Sequence, residues 1–446
     1  MNSARSSKIE FIQTFRGIAA LLVVLYHASS SISPYGTGLG DFLFGPAGSM
    51  GVTLFFIISG FIMAHTTVST PANSRAALDF LIRRISRVWP PLAVACLAFV
   101  ALKVWPFDGI NRRIISLVVH TLTFIPSGRA GAPQFGESLP SVGWTLNYES
   151  YFYLFFAISM LFGRARWLAL FAWGAISLIA LPVLQVGWWT IHTVTPYGFG
   201  PPYVQMMTFP LIWEFLAGVA LGLIYNSRLS IKMPFGLLMF LSVASVAWQY
   251  SARFKIGYGI TEWGTTLIPL VAIFAMANKQ TEITHHPALT YLGNISYSLY
   301  LWHPLVHDVS GYPLTWMGYG DRCSGFSFML YTTAISIAIA ALSYHLLEKG
   351  LSEFIKNKAL QMARGKFALD AENGIRARVS DGFAFLAAHL ASDDLNEKYW
   401  DRDAYKNGYL SYSQHIDKNP YPPGSEDRKI WWIARAQSKA DWARTW

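Results

Sequence analysis

Residues 11–30 read FIQTFRGIAALLVVLYHASS, an apolar run one helix long that carries an arginine at 16 and a histidine at 27. About 20 such residues suffice to cross a hydrocarbon core ~30 Å thick. Ionisable groups at that depth are costly enough to be read first as functional. Eleven residues is close to three helical turns, so Arg16 and His27 leave one helix face, separated by about 16 Å along the axis. The plainer reading is a snorkelling arginine near one end and a buried histidine bonded to one neighbouring helix.

The rest of the chain sets that helix in context. Of 446 residues, 53% are hydrophobic and 13% charged, and aromatic residues are abundant, which describes an all-α polytopic membrane protein up to about residue 347. From Glu348 onward lie 16 of the 35 basic and 14 of the 25 acidic residues, so the character of the chain changes there. The basic excess is therefore mostly juxtamembrane, where it sets topology and meets anionic lipid. Two cysteines, Cys96 and Cys323, give neither a disulfide framework nor a zinc pattern. The first apolar stretch is too long for a cleavable leader and reads as a signal anchor.

Hydropathy predicts about ten transmembrane helices, near 11–30, 48–65, 89–105, 144–162, 167–186, 205–225, 233–250, 259–277, 289–307 and 326–347. A shorter stretch, Ile114 to Ile125, contains His120 and is expected to be re-entrant or interfacial. With the N-terminus cytosolic, the basic clusters at Arg75 to Arg87, Arg164 and Arg166, Arg228 and Lys232, and Lys279 all fall inside; Arg112, Arg113, Arg253 and Lys255 are the exceptions. The C-terminal tail is then cytosolic too.

On this topology, counting about 1.5 Å per residue puts His27, Glu149 and His303 at one level in the outer third. Arg84 and Arg87 sit at the inner mouth of the third span, and their spacing places them on one helix face. A basic inner mouth and a His/Glu outer pocket suggest a polyanionic ligand entering from the cytosol, with chemistry at its far end. Each element also has a structural explanation: a positive-inside anchor, a proline ending a helix after His303, or a Glu149 neutralised by Arg16. Glu214 is expected to make a structural bond between helices.

These residues also carry a family resemblance. FRGIAALLVVLYH at 15–27, GVTLFFIISGFIM at 51–63, RRISRVWP at 83–90, GWTLNYESYFYLFF at 143–156, WEFLAG at 213–218 and GNISYSLYLWHP at 293–304 follow one another as in the acyltransferase-3 family of bacterial membrane O-acyltransferases. The chain resembles the exopolysaccharide-acetylating branch over residues 8–348. The resemblance implies a ten-helix core, an acyl-CoA donor (acetyl-CoA foremost) reached from the cytosol, and a glycan or lipid-linked sugar as acceptor. It implies multi-pass residence in the bacterial inner membrane with both termini cytosolic, and an essential first-helix histidine and arginines. In place of the family's usual Glu-Lys-Pro the chain has Glu348-Lys349-Gly350, expected to affect only how the last helix stops.

In the resulting assignment His27 is the general base, since imidazole titrates near working pH. Glu149 orients it as the carboxylate does in serine hydrolase triads, and His303 contacts the acceptor or shares the proton. Arg84 and Arg87 hold CoA phosphates through forked hydrogen bonds, with Arg16 on the pantetheine or pyrophosphate lower in the same channel. Direct transfer and a covalent acyl-histidine both stay open. No phosphate loop, metal-ligand cluster or nucleophile elbow stands out, so no metal and no resident cofactor are expected. An exporter of acyl compounds or sugars is the competing class, although the inverted repeats that would favour it are not visible.

After a helical linker at 349–403, residues 404–446 resemble the small helical module of ribosome modulation factor, through Gly408, Asn419-Pro420-Tyr421-Pro422 and Trp431-Trp432. Ala434 stands where that module would have glycine. A hairpin packing only on itself is favoured over a ribosome tether; nucleic acid is not an expected partner, because the segment has nearly balanced charge and no basic stripe.

Overall fold

The computed structural model describes residues 10–32, 38–104, 110–192, 197–229, 234–280 and 286–363, with scattered positions between 403 and 434. Among the described residues every regular element is helical. Among the described residues five helices are long and apolar enough to cross a membrane: Glu10–Ser31, Leu39–Thr67, Ser74–Leu102, Gly163–Val186 and Gly325–Ala363. The other predicted spans fall on shorter helices, among them the apolar Ile212–Asn226 and Phe235–Ser251. Large apolar side chains are left outward-facing on these helices, with Leu168, Leu184 and Phe240 at 73, 82 and 68% exposure. Surfaces of that kind are met by lipid.

The principal helices are α1 (Glu10–Ala28), α2 (Ala47–Thr67), α3 (Ser74–Phe99), α4 (Arg112–Thr123), α5 (Trp144–Met160), α6 (Gly163–Val186), α7 (Ile212–Asn226), α8 (Phe235–Ser251), α9 (Gly264–Gln280), α10 (Pro287–Asn294), α11 (Ser296–Val309) and α12 (Gly325–Ser343). Helix α1 packs against α2, α10 and α11. One of these crossings, and the crossing of α7 with α2, are glycine contacts. A Cβ at Gly293 of α10 would overlap the Gln13 carbonyl of α1, and one at Gly218 of α7 would overlap the Ile57 carbonyl of α2. Small residues bring helix backbones together where lipid supplies no hydrophobic drive. The first of them brings α1 close to α10, which leads directly into α11.

The predicted span at 289–307 is two helices, α10 and α11, and two boundaries differ from the sequence expectation by about four turns. Helix α3 starts at Ser74, about four turns before the predicted span at 89, because Asn73 caps it by accepting the Ala76 N–H at 2.8 Å. The arginines of RRISR thus ride within a continuous helix that runs on through Pro90 and Pro91. The last helix does not stop at 347. It widens into π-type turns over Tyr344–Ser352 and continues to Ala363, so Gly350 ends nothing.

The stretch around His120 forms the 12-residue helix α4. Two charges that fell on the wrong side of the predicted topology are ion-paired: Arg113 with Glu137 at 3.1 Å and Arg253 with Asp41 at 2.9 Å. Glu214 ties α7 to its neighbours as expected, since its Oε1 accepts from Thr53 Oγ1 of α2 at 2.9 Å and from the Gly259 N–H at 2.5 Å.

A second compact unit begins near residue 361. Within it Ala404, Ile430 and Ala434 are buried together beside Tyr421, whose carbonyl accepts from Arg428 at 2.9 Å. Ala434 is fully buried where the resemblance led to glycine. The predicted helical linker lies, from residue 364 to 402, outside the described residues.

Candidate active site

Two cavities share the arginines of α3. The first encloses about 820 Å³, part of it open, and is lined by Arg16 of α1, Arg84 and Arg87 of α3, Glu149 and Tyr153 of α5, and Tyr297 and Tyr300 of α11. Phe55, Phe56 and Ile62 of α2 supply much of its apolar wall. The second, about 1180 Å³ and also open, meets the first at Arg84 and Arg87. It runs past Thr66, Asn73, Arg75, Asp79 and Arg83, where α2 ends and α3 begins.

Helical spacing puts the charges on shared faces. Arg84 and Arg87 are three residues apart, and Glu149 and Tyr153 four. Arg84 lies over the rings of Phe80 and Tyr153, 5.4 and 5.7 Å from their centroids, and reaches Thr66 Oγ1 at 3.3 Å. The Tyr153 hydroxyl donates to Glu149. Arg16 holds Gln13 Oε1 at 3.2 Å and is within electrostatic reach of Arg87, Glu348 and Glu149. Arg87 makes no hydrogen bond among the described residues although it borders both cavities. Three guanidinium groups against the carboxylates of Glu149 and Glu348 leave a positive excess around the first cavity, suited to an anion.

At the other end of α1, His27 meets His303 of α11. His303 Nε2 lies 3.2 Å from His27 Nδ1, and the ring centroids are 5.0 Å apart. His303 is buried and His27 partly exposed. Tyr300 links this pair to the first cavity: it lines the cavity wall, its ring lies 6.0 Å from that of His303, and its hydroxyl is 2.9 Å from Thr145 Oγ1.

The six predicted site residues therefore fall into two groups. Arg16, Arg84, Arg87 and Glu149 gather at one cavity, and His27 pairs with His303. The expected Glu149–His27 contact is not there. His27 bonds the Val23 carbonyl and His303, while the Glu149 face of α5 turns to the arginines. Glu149 lies at the cavity of the arginines, so the expectation that it shares one level with His27 and His303 does not hold.

Sequence reading missed Tyr153, Tyr297 and Glu348. Tyr153 could have been found from its i,i+4 spacing to Glu149. Glu348 is more than a helix stop, since it accepts from Ser298 Oγ at 2.6 Å and lies within reach of Arg16 and Arg87. No cluster of metal-ligating side chains occurs among the described residues.

The site is thus a basic cavity joined through Tyr300 to a histidine pair, in an all-helical membrane core. The acyltransferase-3 family, described as an acyltransferase domain, matches residues 9–347, and the chain belongs to it. It is 27% identical over 310 residues to the exopolysaccharide production protein ExoZ of Rhizobium meliloti, covering 68% of this chain and 89% of that protein. To nodulation protein 10 of Rhizobium leguminosarum bv. viciae it is 26% identical over 336 residues, or 70% of this chain and 84% of that one. The peptidoglycan O-acetyltransferase OatA of Listeria monocytogenes is 23% identical over 314 residues, which are 66% of this chain and 48% of OatA. No solved structure gives a significant match.

Proposed function

We propose that the protein transfers an acyl group, acetyl foremost, from cytosolic acyl-CoA to a hydroxyl of a cell-surface or exopolysaccharide sugar. It does so as a ten-span protein of the bacterial inner membrane with both termini cytosolic. The observation that carries this reading is α1 itself: one helix presents Arg16 to the basic cavity and, about 16 Å further along, His27 to a second histidine. In this reading the second cavity and the arginines take the CoA phosphates, and the flexible arm of the donor runs through the first cavity toward the histidines. A glycan, free or on a lipid carrier, meets the thioester there.

The acceptor hydroxyl attacks the thioester carbonyl while His27 takes its proton. The tetrahedral intermediate then breaks its C–S bond, and the imidazolium returns the proton to the departing thiolate. The oxygen is acylated, CoA leaves as the thiol, and His27 ends as it began. Glu149 acts at the donor end in this scheme, as a counter-charge for the arginines. Purified protein given radiolabelled acyl-CoA and a sugar acceptor is expected to release free CoA and O-acylated sugar in equal amounts. An exporter would move label across a membrane with the thioester intact.

Two further outcomes are expected. Glu149→Gln should change the acyl-CoA KM several-fold with kcat little altered, because its side chain faces the arginines. A kcat collapse matching that of a His27 variant would return Glu149 to the imidazole. A chain ending at Ala363 should insert and retain transfer, since all the residues given roles lie upstream. O-acylation at matched membrane abundance measures this, and complete inactivity would assign the second unit to the catalytic pathway.

A further inference from the structure

His27 presents Nδ1 to the Val23 carbonyl, one turn back on α1, at 2.9 Å. His303 does the same with the Leu299 carbonyl on α11, at 3.1 Å. A carbonyl oxygen only accepts, so in each ring Nδ1 carries the hydrogen. A neutral imidazole has one N–H, which leaves Nε2 of both rings as a lone pair. His303 Nε2 is 3.2 Å from His27 Nδ1, so the His27 hydrogen is shared between Val23 O and His303 Nε2. His27 Nε2 has no hydrogen-bond partner among the described residues, and the His27 side chain is partly exposed.

We infer that His303 is a positioning residue that, together with the Val23 carbonyl, accepts the Nδ1–H of His27 and so holds the tautomer whose Nε2 is the basic nitrogen. The inference rests on the proposed role of His27 as general base. It gives His303 the task that a carboxylate performs in serine hydrolase triads and that the sequence had given to Glu149. A neutral acceptor does this without burying an unpaired charge in the membrane. When His27 takes the acceptor's proton on Nε2, its Nδ1–H becomes a charged donor and the bond to His303 strengthens. The hydrogen on His303 Nδ1 stays on the Leu299 carbonyl throughout, so no proton passes to His303.

The test is the nitrogen NMR spectrum of protein labelled with 15N-histidine in lipid nanodiscs, with the His27 signals assigned by their loss in His27→Ala. At a pH where the ring is neutral, Nδ1 should appear protonated and Nε2 unprotonated. His303→Gln keeps an acceptor near the Nε2 position, and His303→Phe fills the volume without one. The Gln variant should hold the tautomer and stay within about tenfold of the normal kcat. With the Val23 carbonyl left as the remaining acceptor, the Phe variant should show a larger share of the Nε2–H tautomer and lose about 10²-fold or more in kcat with the acyl-CoA KM unchanged. A protonated Nε2 in the unaltered protein overturns the inference, as does a Phe variant equal to the Gln variant in tautomer and rate. The spectrum is independent of turnover. Should His27→Ala still transfer acyl groups, the base assignment falls while the tautomer result is read separately.

Discussion

His27→Ala is expected to abolish O-acyl transfer while leaving the protein inserted at normal abundance. A positioned general base contributes roughly 10²–10⁴-fold to rate, equivalent to about 3–5 kcal/mol of transition-state stabilisation. His27 sits in the last turn of α1, partly exposed, so its truncation opens no large void, and His303 loses only a shared hydrogen. Removing a polar group from a membrane helix also relieves a cost of insertion. Transfer rates and membrane abundance should therefore separate completely. Near-normal acylation in the variant would remove His27 from the reaction.

Arg84→Ala and Arg87→Ala should each act on donor use. A charge-assisted hydrogen bond to phosphate contributes about 1.5–3 kcal/mol, so each loss should raise the acyl-CoA requirement tenfold or more. Arg87 is the sharper case. It borders both cavities with no hydrogen bond to a described residue, whereas Arg84 is also held over Phe80 and Tyr153. Lysine should substitute poorly at either position, since it offers a point charge in place of a planar fork. Donor titration in proteoliposomes measures the effect. An acyl-CoA dependence unchanged in both variants, with normal insertion, would leave these arginines as topological anchors only.

The polar face of α1 was legible because a membrane helix has few ways to hide an arginine and a histidine. Counting along α1 and α11 was enough to bring His27 to the height of His303, and in the structure the two rings touch. The same counting failed for Glu149, which it set at the level of the histidines and which lies at the cavity of the arginines. Tyr153, one turn further along, marks the face that meets the arginines. The early start of α3 was present in the sequence as an Asn-Ser cap at 73–74, but hydropathy is low across RRISR and hid the continuity of the helix. The continuation of the last helix through Gly350 was not readable, because its π-type turns, which pack against α3, leave no pattern in the chain. Glu348 was thus placed beyond the core when it belongs beside Arg16 and Arg87.

The central claim is that donor and acceptor meet across the membrane, with acyl-CoA bound at the arginine end of α1 and the sugar at the histidine end. Sealed inside-out membrane vesicles expose the cytosolic face, so acyl-CoA can be supplied outside and the sugar acceptor enclosed within. The prediction is O-acylated sugar inside the vesicles and free CoA outside, lost in His27→Ala. Product formed only when the acceptor is also supplied on the outer, cytosolic side would contradict it.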